Sequence, residues 1–342
     1  MGKIRNQISL DRIAMECGVS PMTVSRALRQ LPSVSEKTRS RIFEAAARLG
    51  YLPMLSAGRK AELHEELQNL PVQIIVRESN GRLPRFQSEL MLELIRLLAA
   101  KGFESIVRVS DGTYKEFLQM LSHAGKAQVA ATILVGSFQE KELRALLRAI
   151  PGAILLDDPG SSVPECVYSI FSFDNFRAAM LAVKHLVDQG RKKILLVTGP
   201  REHFFSEEIK KGYKEALTDA GLSFDPSMVL YTDFTVRSAT EKVTEFMDAG
   251  GQFDAVFTND EMAGGVYGAV MKRGIRIPDQ VAVCGCDGLP VGEQLYPGLT
   301  TVVLDYKQLA EKVIENSIAR KEDSVVPMHM RLLPTLLLRE SS

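Results

Sequence analysis

Short apolar segments alternate with longer segments of helical periodicity from residue 72 onward, and this alternation limits the possible folds more than any other feature. Seven segments have the length and composition of buried strands. They are Val72–Val76, Glu104–Val109, Ala130–Val135, Ala153–Asp157, Lys193–Thr198, Phe253–Thr258 and Gln280–Cys284. Helical patterns lie near 88–100, 113–123, 139–149, 175–189, 205–220, 236–248 and 260–273. Such alternation favours right-handed crossovers and parallel sheets with helices on both faces.

The alternating pattern occurs in two series, one before and one after residue 172. Two series in tandem predict two lobes, each built on its own parallel sheet. Ligands bind beyond the carboxyl ends of the strands in sheets of this kind. We therefore expect a ligand-binding cleft between the two lobes, with the chain crossing between them near 172, 300 and 326.

The first sixty residues have a different pattern, in which short helices follow one another without strands. Leu10–Gly18 has apolar residues on one helical face, and its final glycine can end the helix. Ser20 is a good N-cap and Pro21 is tolerated at the first helical position, so a second helix is expected over Met22–Leu28. A third helix is expected after Ser35. Two short helices joined by a tight turn predict a helix-turn-helix unit.

Charge is distributed unevenly, although the chain as a whole has no net charge. Residues 1–60 carry eleven Lys/Arg and four Asp/Glu, a net charge of +7, and the remainder carries −7. A basic head suggests a polyanionic partner, although a solvated charged surface gives the same count. No apolar stretch reaches the roughly 20 residues of a membrane helix. Since no secretory signal precedes the first helix, a cytoplasmic protein without membrane contact is expected.

Three segments carry a resemblance to a known family. Ile8–Leu28, Val34–Arg39 and Leu49–Pro53 together resemble the head of the lactose-repressor (LacI/GalR) family, and a looser resemblance extends to Leu333–Arg339. It implies an α/β protein with a three-helix helix-turn-helix head (1–53), a hinge and linker (54–71) and an effector-binding, dimerisation domain (72–342). That domain would have the two-lobed periplasmic-binding-protein fold. Lobe 1 would hold about 72–171 and 302–326, and lobe 2 about 172–301 and 327–342.

The second helix is expected to enter the DNA major groove by its N-terminal end. Its first exposed side chains would then face base edges, and Arg26 can pair with guanine through two hydrogen bonds. Neighbouring hydroxyl and cationic groups would hold phosphates. The predicted DNA-binding residues of the head are Ser20, Pro21, Met22, Thr23, Ser25, Arg26, Arg29, Ser35, Thr38 and Arg39.

The hinge departs from the family pattern. In the family, a leucine from each subunit inserts into the minor groove, and Lys60 occupies that position here. Ala57 matches a small residue of the family and joins Lys60 in the predicted DNA-binding set. Two alternatives stay open: Arg59 and Lys60 contact phosphates without insertion, or the register shifts so that Leu55 or Leu63 inserts.

Effector-binding candidates follow the predicted strands, where a cleft would open. Carboxylates and amides there suit sugar hydroxyls, and aromatic rings stack on sugar faces; helix capping is the alternative role for a residue such as Asn259. With the positions that the resemblance implies, the predicted set is Phe86, Asp157, Phe171, Phe234, Asn259 and Asp287, with Asp260 beside Asn259.

One departure affects the expected effector. Many family members have an effector-binding arginine where this chain has Ile209. The effector is then not a typical free sugar, or Arg201 or Lys210 substitutes for the arginine, or the lobes bind little or respond to a protein.

No other chemistry is indicated by the sequence. It has no nucleophile motif, phosphate loop or dinucleotide fingerprint, its five histidines are scattered, and Cys284 and Cys286 lie in an apolar segment that favours core packing over metal or redox chemistry. No enzyme activity, metal or cofactor is expected. The prediction is a repressor of a carbohydrate-related operon that binds palindromic double-stranded DNA as a homodimer and responds to a sugar or sugar derivative. A regulator with a non-sugar or protein effector and a sugar-binding transport protein are the alternatives.

Overall fold

The computed structural model describes residues 10–28, 33–49, 70–78, 83–110, 113–124, 128–158, 163, 166–319 and 327–342. The chain divides into two compact units, residues 1–65 with 321–324, and residues 66–320 with 325–342. Among the described helices, none combines the length and the apolar character that a membrane span requires.

The head contains three helices, α1 (Leu10–Cys17), α2 (Pro21–Leu28) and α3 (Glu36–Leu49). Their apolar faces meet in a small core that contains Ile13, Ala14, Cys17, Val24, Ala27, Val34, Ile42 and Ala45. The turn after α1 uses a left-handed glycine, Gly18, with φ of 61°. The three predicted helices of the head are therefore present, in the order and spacing of a helix-turn-helix unit.

Hydroxyl side chains begin the second and third helices. The Ser20 hydroxyl accepts a hydrogen bond from the backbone N–H of Thr23 at 3.1 Å. The Ser35 hydroxyl accepts one from the backbone N–H of Thr38 at 3.3 Å. Each bond satisfies a donor that has no partner within the helix, which is worth about 1 kcal/mol. Local sequence therefore sets where α2 and α3 begin.

The larger unit alternates strands and helices along its length. Its strands are β1 (Val72–Arg77), β2 (Ser105–Ser110), β3 (Ala131–Val135), β4 (Ile154–Leu156), β5 (Ser169–Phe173), β6 (Ile194–Thr198), β7 (Val229–Tyr231), β8 (Ala255–Phe257), β9 (Ala282–Asp287), β10 (Thr300–Val303), β11 (His329–Leu332) and β12 (Thr335–Leu337). Its helices are α4 (Arg85–Ala100), α5 (Tyr114–Ala124), α6 (Glu140–Ala149), α7 (Asn175–Asp188), α8 (Phe204–Asp219), α9 (Val236–Asp248), α10 (Asp260–Met271), α11 (Val291–Gln294) and α12 (Tyr306–Ala319).

These strands form two six-stranded sheets, one in each lobe. The first sheet has the order β11-β5-β4-β3-β1-β2 and is parallel throughout. The second has the order β12-β10-β9-β8-β6-β7, and only the pairing of β10 with β12 is antiparallel. The predicted α/β class, with two mostly parallel sheets in tandem, is confirmed.

The central strands of each sheet are buried on both faces, as their uninterrupted apolar sequences require. In β1, Ile74 packs into one core cluster with Leu90 of α4, whereas the next residue, Ile75, packs into another with Leu143 of α6. Burying an aliphatic side chain of this size contributes about 1.5–3 kcal/mol. In the second lobe, Cys284 and Cys286 are fully buried in the cluster that also contains Leu196, which confirms their predicted core packing.

All seven predicted strands and all seven helices predicted after residue 72 are present, within three residues at each end. Five further strands were not predicted, namely β5, β7, β10, β11 and β12. These segments are short or mix polar with apolar residues, so periodicity alone gives little signal.

The chain crosses between lobes at residues 174, 304–305 and 333–334. The prediction for the third crossing, near 326, was wrong. Residues 329–332 pair with β5 in the first lobe, as His329 aligned with Ile170 demonstrates. Residues 302 and 303 also belong to the second lobe, because β10 pairs with β9. Both corrections arise from pairing between strands far apart in sequence, which no local pattern specifies.

Candidate functional site

A cavity lies between the two lobes, where the carboxyl ends of both sheets meet. It has a volume of about 620 Å³, counting its open mouth. Residues of both lobes line it: Pro84, Phe86, Asp157, Asn175, His203, Phe205, Phe234, Asn259, Glu261, Asp287 and Leu304.

Strand ends position three of the polar side chains. Asp157 follows β4, Asn259 follows β8 after one residue, and Asp287 is the last residue of β9. Asn259 is also the N-cap of α10, and its side-chain oxygen accepts a hydrogen bond from the backbone N–H of Met262 at 2.9 Å. The amide nitrogen of Asn259 therefore remains on the cavity side as a donor for a ligand.

The cavity wall contains unusual backbone conformations. In the described part of the chain, the non-glycine residues with left-handed φ are Asp157 (57°), Phe234 (66°) and Asp287 (118°), and all three line the cavity. Each such conformation costs about 1–3 kcal/mol and persists only where surrounding structure enforces it. The backbone N–H of Asp157 donates to the Phe171 carbonyl at 2.8 Å, and the Tyr306 hydroxyl donates to the Asp287 carbonyl at 2.7 Å. Strain concentrated on one wall is typical of a functional site.

Aromatic side chains form part of the wall on each side. In the second lobe, the Phe234 ring lies 5.0 Å from the His203 ring and 5.9 Å from the Phe205 ring, measured between centroids. In the first lobe, the Phe86 ring lies 5.7 Å from Tyr306. These edge-to-face arrangements fix the rings in place. A flat ligand can therefore lie against apolar rings from both lobes.

Two carboxyl groups of the cavity are buried. Asp157 is 8% exposed and Asp287 is 3% exposed. Burial raises the pKa of Asp157 well above its usual value, and the charge of Asp158 raises it further. Burial likewise raises the pKa of Asp287, with added repulsion from Asp260, Asp157 and Glu261. These carboxyls therefore favour the protonated form until a cation or hydrogen-bond donor approaches.

Asp260 supports the cavity wall from behind. Its carboxylate accepts hydrogen bonds from the backbone N–H of Leu289 at 2.7 Å and from the Thr301 hydroxyl at 2.5 Å. Burial raises the pKa of Asp260 to about 7, and these two hydrogen bonds oppose the rise. The bonds join the start of α10 to β10 and to the segment after β9, so they hold Asn259 and Asp287 in place.

His203 links the two lobes. Its Nδ1 accepts a hydrogen bond from the backbone N–H of Phe205 at 3.3 Å, which places the imidazole proton on Nε2. That nitrogen lies 3.4 Å from the Ser137 hydroxyl of the first lobe. Burial lowers the pKa of His203 to about 4, so the ring is neutral at neutral pH. A second interlobe contact joins the Arg331 guanidinium to the Glu208 carboxylate at 3.3 Å.

Five of the six residues predicted to bind effector line the cavity: Phe86, Asp157, Phe234, Asn259 and Asp287. Phe171 does not, and its placement is a correction. Its side chain has no exposed surface and packs in the core of the first lobe, because its position in β5 directs it toward that core. A ligand role for the other five stays a prediction.

Sequence reasoning missed four polar or aromatic residues of the cavity, Asn175, His203, Phe205 and Glu261. Asn175 and Glu261 lie in the first turns of α7 and α10, directly or shortly after capping residues. Their position shortly after a strand end could therefore have identified these two residues as candidates for the cavity. No local pattern distinguished His203 or Phe205.

Neither of the two proposed replacements for the family's arginine lines the cavity. Ile209 itself is buried in the second-lobe core. The Arg201 guanidinium lies over the Tyr231 ring, 4.6 Å from its centroid, and Lys210 binds Glu207 at 2.9 Å. Within the described residues, the inner cavity has no Lys or Arg in its lining.

The predicted DNA-binding residues of the head occupy the start of α2 and α3. Pro21, Met22 and Arg26 are exposed, and Met22 retains 62% of its surface. Ser20 and Ser35 are the exposed caps described above. The half-buried members of the set are Thr23, Ser25, Thr38 and Arg39. Arg29, Ala57 and Lys60 lie outside the described residues.

Comparison with known proteins agrees with this arrangement. Residues 9–54 match the family of bacterial regulatory proteins of the lacI type, and residues 183–342 match the periplasmic binding protein-like domain. The HTH-type transcriptional regulator CelR of Thermobifida fusca is 26% identical over 341 residues, which cover 98% of this chain and 99% of the relative. Catabolite control protein A of Priestia megaterium is 29% identical over 298 residues, 86% of this chain and 87% of the relative.

A solved structure of a relative is similar in fold. The complex of the transcriptional regulator CelR with cellobiose superposes with a TM-score of 0.72 at 25% identity, covering 98% of this chain and 100% of that one. The relatives named above are transcription regulators and not enzymes. From its head, its two-lobed domain and these relatives, we conclude that the chain joins a lacI-type DNA-binding domain to a periplasmic binding protein-like domain and is similar to transcription regulators of the LacI/GalR family.

Proposed function

We propose that this protein is a transcriptional repressor of a carbohydrate-related operon whose operator affinity is set by a small ligand in the cavity between the lobes. The ligand is a sugar or sugar derivative, and two copies bind a palindromic operator. It acts at the DNA in the cytoplasm. The cellobiose complex of the CelR relative supports a sugar-type ligand.

The observation that carries the proposal is the exposed start of α2. Val24 and Ala27 bury one face of this helix in the head core, whereas Pro21, Met22 and Arg26 are exposed. A recognition helix needs this division, since one face must hold the helix and the other must reach base edges. Arg26 reads a guanine in this proposal, and Thr23, Ser25, Thr38 and Arg39 hold phosphates with the caps Ser20 and Ser35.

Three predicted contacts fall outside the described residues. In this proposal Arg29 contacts phosphates, and Lys60 contacts the minor-groove backbone instead of inserting between bases. Ala57 permits close approach of the hinge to DNA. These assignments rest on the family resemblance of the sequence.

The cavity supplies the regulatory half of the proposal. Its strained Asp157, Phe234 and Asp287 come from two lobes, so a ligand that contacts all three favours one arrangement of the lobes over another. A ligand shifts operator affinity only by its differential affinity for the two arrangements. Couplings of this kind are about 1–3 kcal/mol.

Operator binding tests the proposal directly. The operator is selected from a random pool of double-stranded DNA, and affinity is measured by fluorescence anisotropy. Arg26→Ala should weaken binding by about 1–3 kcal/mol and remove preference at one base pair. Arg276→Ala is the matched control, because this arginine is 69% exposed on the second lobe. If Arg26→Ala behaves like the control, Arg26 is not a base-reading residue. If the intact protein selects no sequence, the repressor proposal is wrong.

A further inference from the structure

The charges that face the inner cavity all have one sign. Its ionisable residues are Asp157, Glu261, Asp287 and the neutral His203. Arg85 and Arg237 line a neighbouring pocket that shares Pro84, Phe234 and Glu261 with the inner cavity, and they do not line the inner cavity itself. Within the described residues, three carboxyl groups therefore face the ligand space without a compensating cation.

One of these carboxyls has no hydrogen-bond partner among the described residues. Asp157 is more than nine-tenths buried and lines the cavity, yet no described residue forms a hydrogen bond with its carboxyl group. The side-chain amide of Asn175 is buried to a similar degree and also lacks a described partner. Both side chains line the cavity, so their polar groups are available to a ligand. Burial without a partner is most costly for a charge, so Asp157 gains most from a cationic ligand.

The aromatic side chains of the cavity can bind a cationic group as well as the ring of a ligand. The Phe234 ring lies beside the His203 and Phe205 rings and lines the cavity. The face of an aromatic ring attracts a cation through its quadrupole. Carboxyl groups and aromatic rings that line the same cavity together form a typical environment for an ammonium group.

We propose that the effector is a cyclic, hydroxylated molecule with a protonated amino group, which faces the carboxyls of Asp157 and Asp287 while the ring lies against Phe234. This inference rests on the proposed function, because it names the ligand class of the same cavity. An amino sugar is the simplest molecule that fits. Sugar phosphates and sugar acids do not fit, because the described lining of the inner cavity has no Lys or Arg to pair with an anionic group.

Proton release is the distinguishing consequence of a cationic ligand. The groups that act on the two carboxyls are Asp158, Asp260 and Glu261, which repel their ionised forms. Since burial also raises the pKa of both carboxyls, an arriving ammonium favours ionisation and expels a proton. A neutral ligand leaves the carboxyls protonated and expels none.

Isothermal titration of the full-length protein tests the proposal. The probes are glucosamine, galactosamine and mannosamine, each paired with its parent hexose and its N-acetyl form, in two buffers of different ionisation enthalpy at neutral pH. We expect at least one hexosamine to bind about tenfold or more tightly than both of its neutral counterparts, since one pKa unit corresponds to tenfold. Its binding should release a proton. Equal or tighter binding of the neutral forms, absence of proton release, or no hexosamine binding at millimolar concentration would each overturn the proposal.

Variants of the cavity carboxyls test whether the preference for a hexosamine arises in the cavity. Asp157→Asn removes the charge with little change of shape, and asparagine adopts the left-handed backbone that this position requires. The preference for the amine should disappear in this variant and persist in Glu245→Gln, whose carboxyl is 64% exposed on α9. If Asp157→Asn does not fold, Asp287→Asn serves the same purpose. A preference that survives loss of either carboxyl would contradict the assignment.

Operator affinity measured with the same probes separates the two proposals. If a neutral hexose binds and changes operator affinity, the regulator proposal stands and the amine proposal falls. If a hexosamine binds without changing operator affinity, the amine proposal stands and ligand regulation falls.

Discussion

Gly199 determines where the Phe234 ring can lie. A Cβ atom added at position 199 would lie less than 3.0 Å from three carbons of that ring. Carbon atoms in contact are about 3.5–4.0 Å apart. The replacement Gly199→Ala therefore forces the ring away from its position on the cavity wall. The backbone of Gly199 is not left-handed, so alanine causes no strain of its own.

Overpacking of this kind costs about 1–3 kcal/mol of the free energy of unfolding. The cost should depend on Phe234 alone. In a Phe234→Ala background the ring is absent and the added methyl group meets no clash. Gly199→Ala should then be neutral, or should stabilise the protein by about 0.4–1 kcal/mol because alanine lowers the conformational entropy of the unfolded chain. A coupling of at least about 1 kcal/mol between the two positions follows, within the usual range for residues in contact. The ring also leaves the ligand site, so ligand affinity should fall in the single variant.

Urea denaturation followed by circular dichroism measures this coupling, because the chain has no tryptophan. Gly264→Ala is the matched control. It lies in α10 with nothing within 4 Å of an added Cβ, so it should stabilise the helix by about 0.5–1 kcal/mol. Equal effects of Gly199→Ala with and without Phe234 would refute the predicted clash. Unchanged ligand affinity would refute a role for the ring in binding.

Two further predictions concern the caps and the buried acid. Ser20→Ala and Ser35→Ala should each destabilise the head by about 1 kcal/mol in thermal unfolding, because each removes a helix cap. The control Ser40→Ala, within α3, should change the stability of the head little. Equal effects of all three replacements would contradict the capping assignment. Because the pKa of Asp260 is raised to about 7, the folded protein holds a proton that the unfolded chain loses above about pH 4. The free energy of unfolding that this bound proton contributes should fall as pH rises from about 4 to 7, by at most about 1.4 kcal/mol per pH unit. Asp260→Asn should reduce this slope in denaturation curves, and an unchanged slope would show that other groups cause it.

Local sequence determined the head and the individual elements of the larger unit. Ser20, Pro21 and Ser35 mark helix starts because capping depends on residues within a single turn. Seven strands were predicted where about five mostly apolar residues follow one another, the first being Val72–Arg77 and the last Ala282–Asp287. The departure at Ile209 was also visible in the sequence, and the structure places that side chain in the core.

Tertiary structure decided which of the candidate residues share the cavity. Phe86 and Phe171 were equivalent candidates in the sequence, yet only Phe86 lines the cavity, because the pairing of β5 directs Phe171 into the core. Ser137 and His203 meet across the lobes although sixty-six residues separate them. The raised pKa of Asp157 likewise results from burial by distant segments. Periodicity and capping act over a few residues, whereas the site depends on contacts that form only after the chain has crossed between lobes three times.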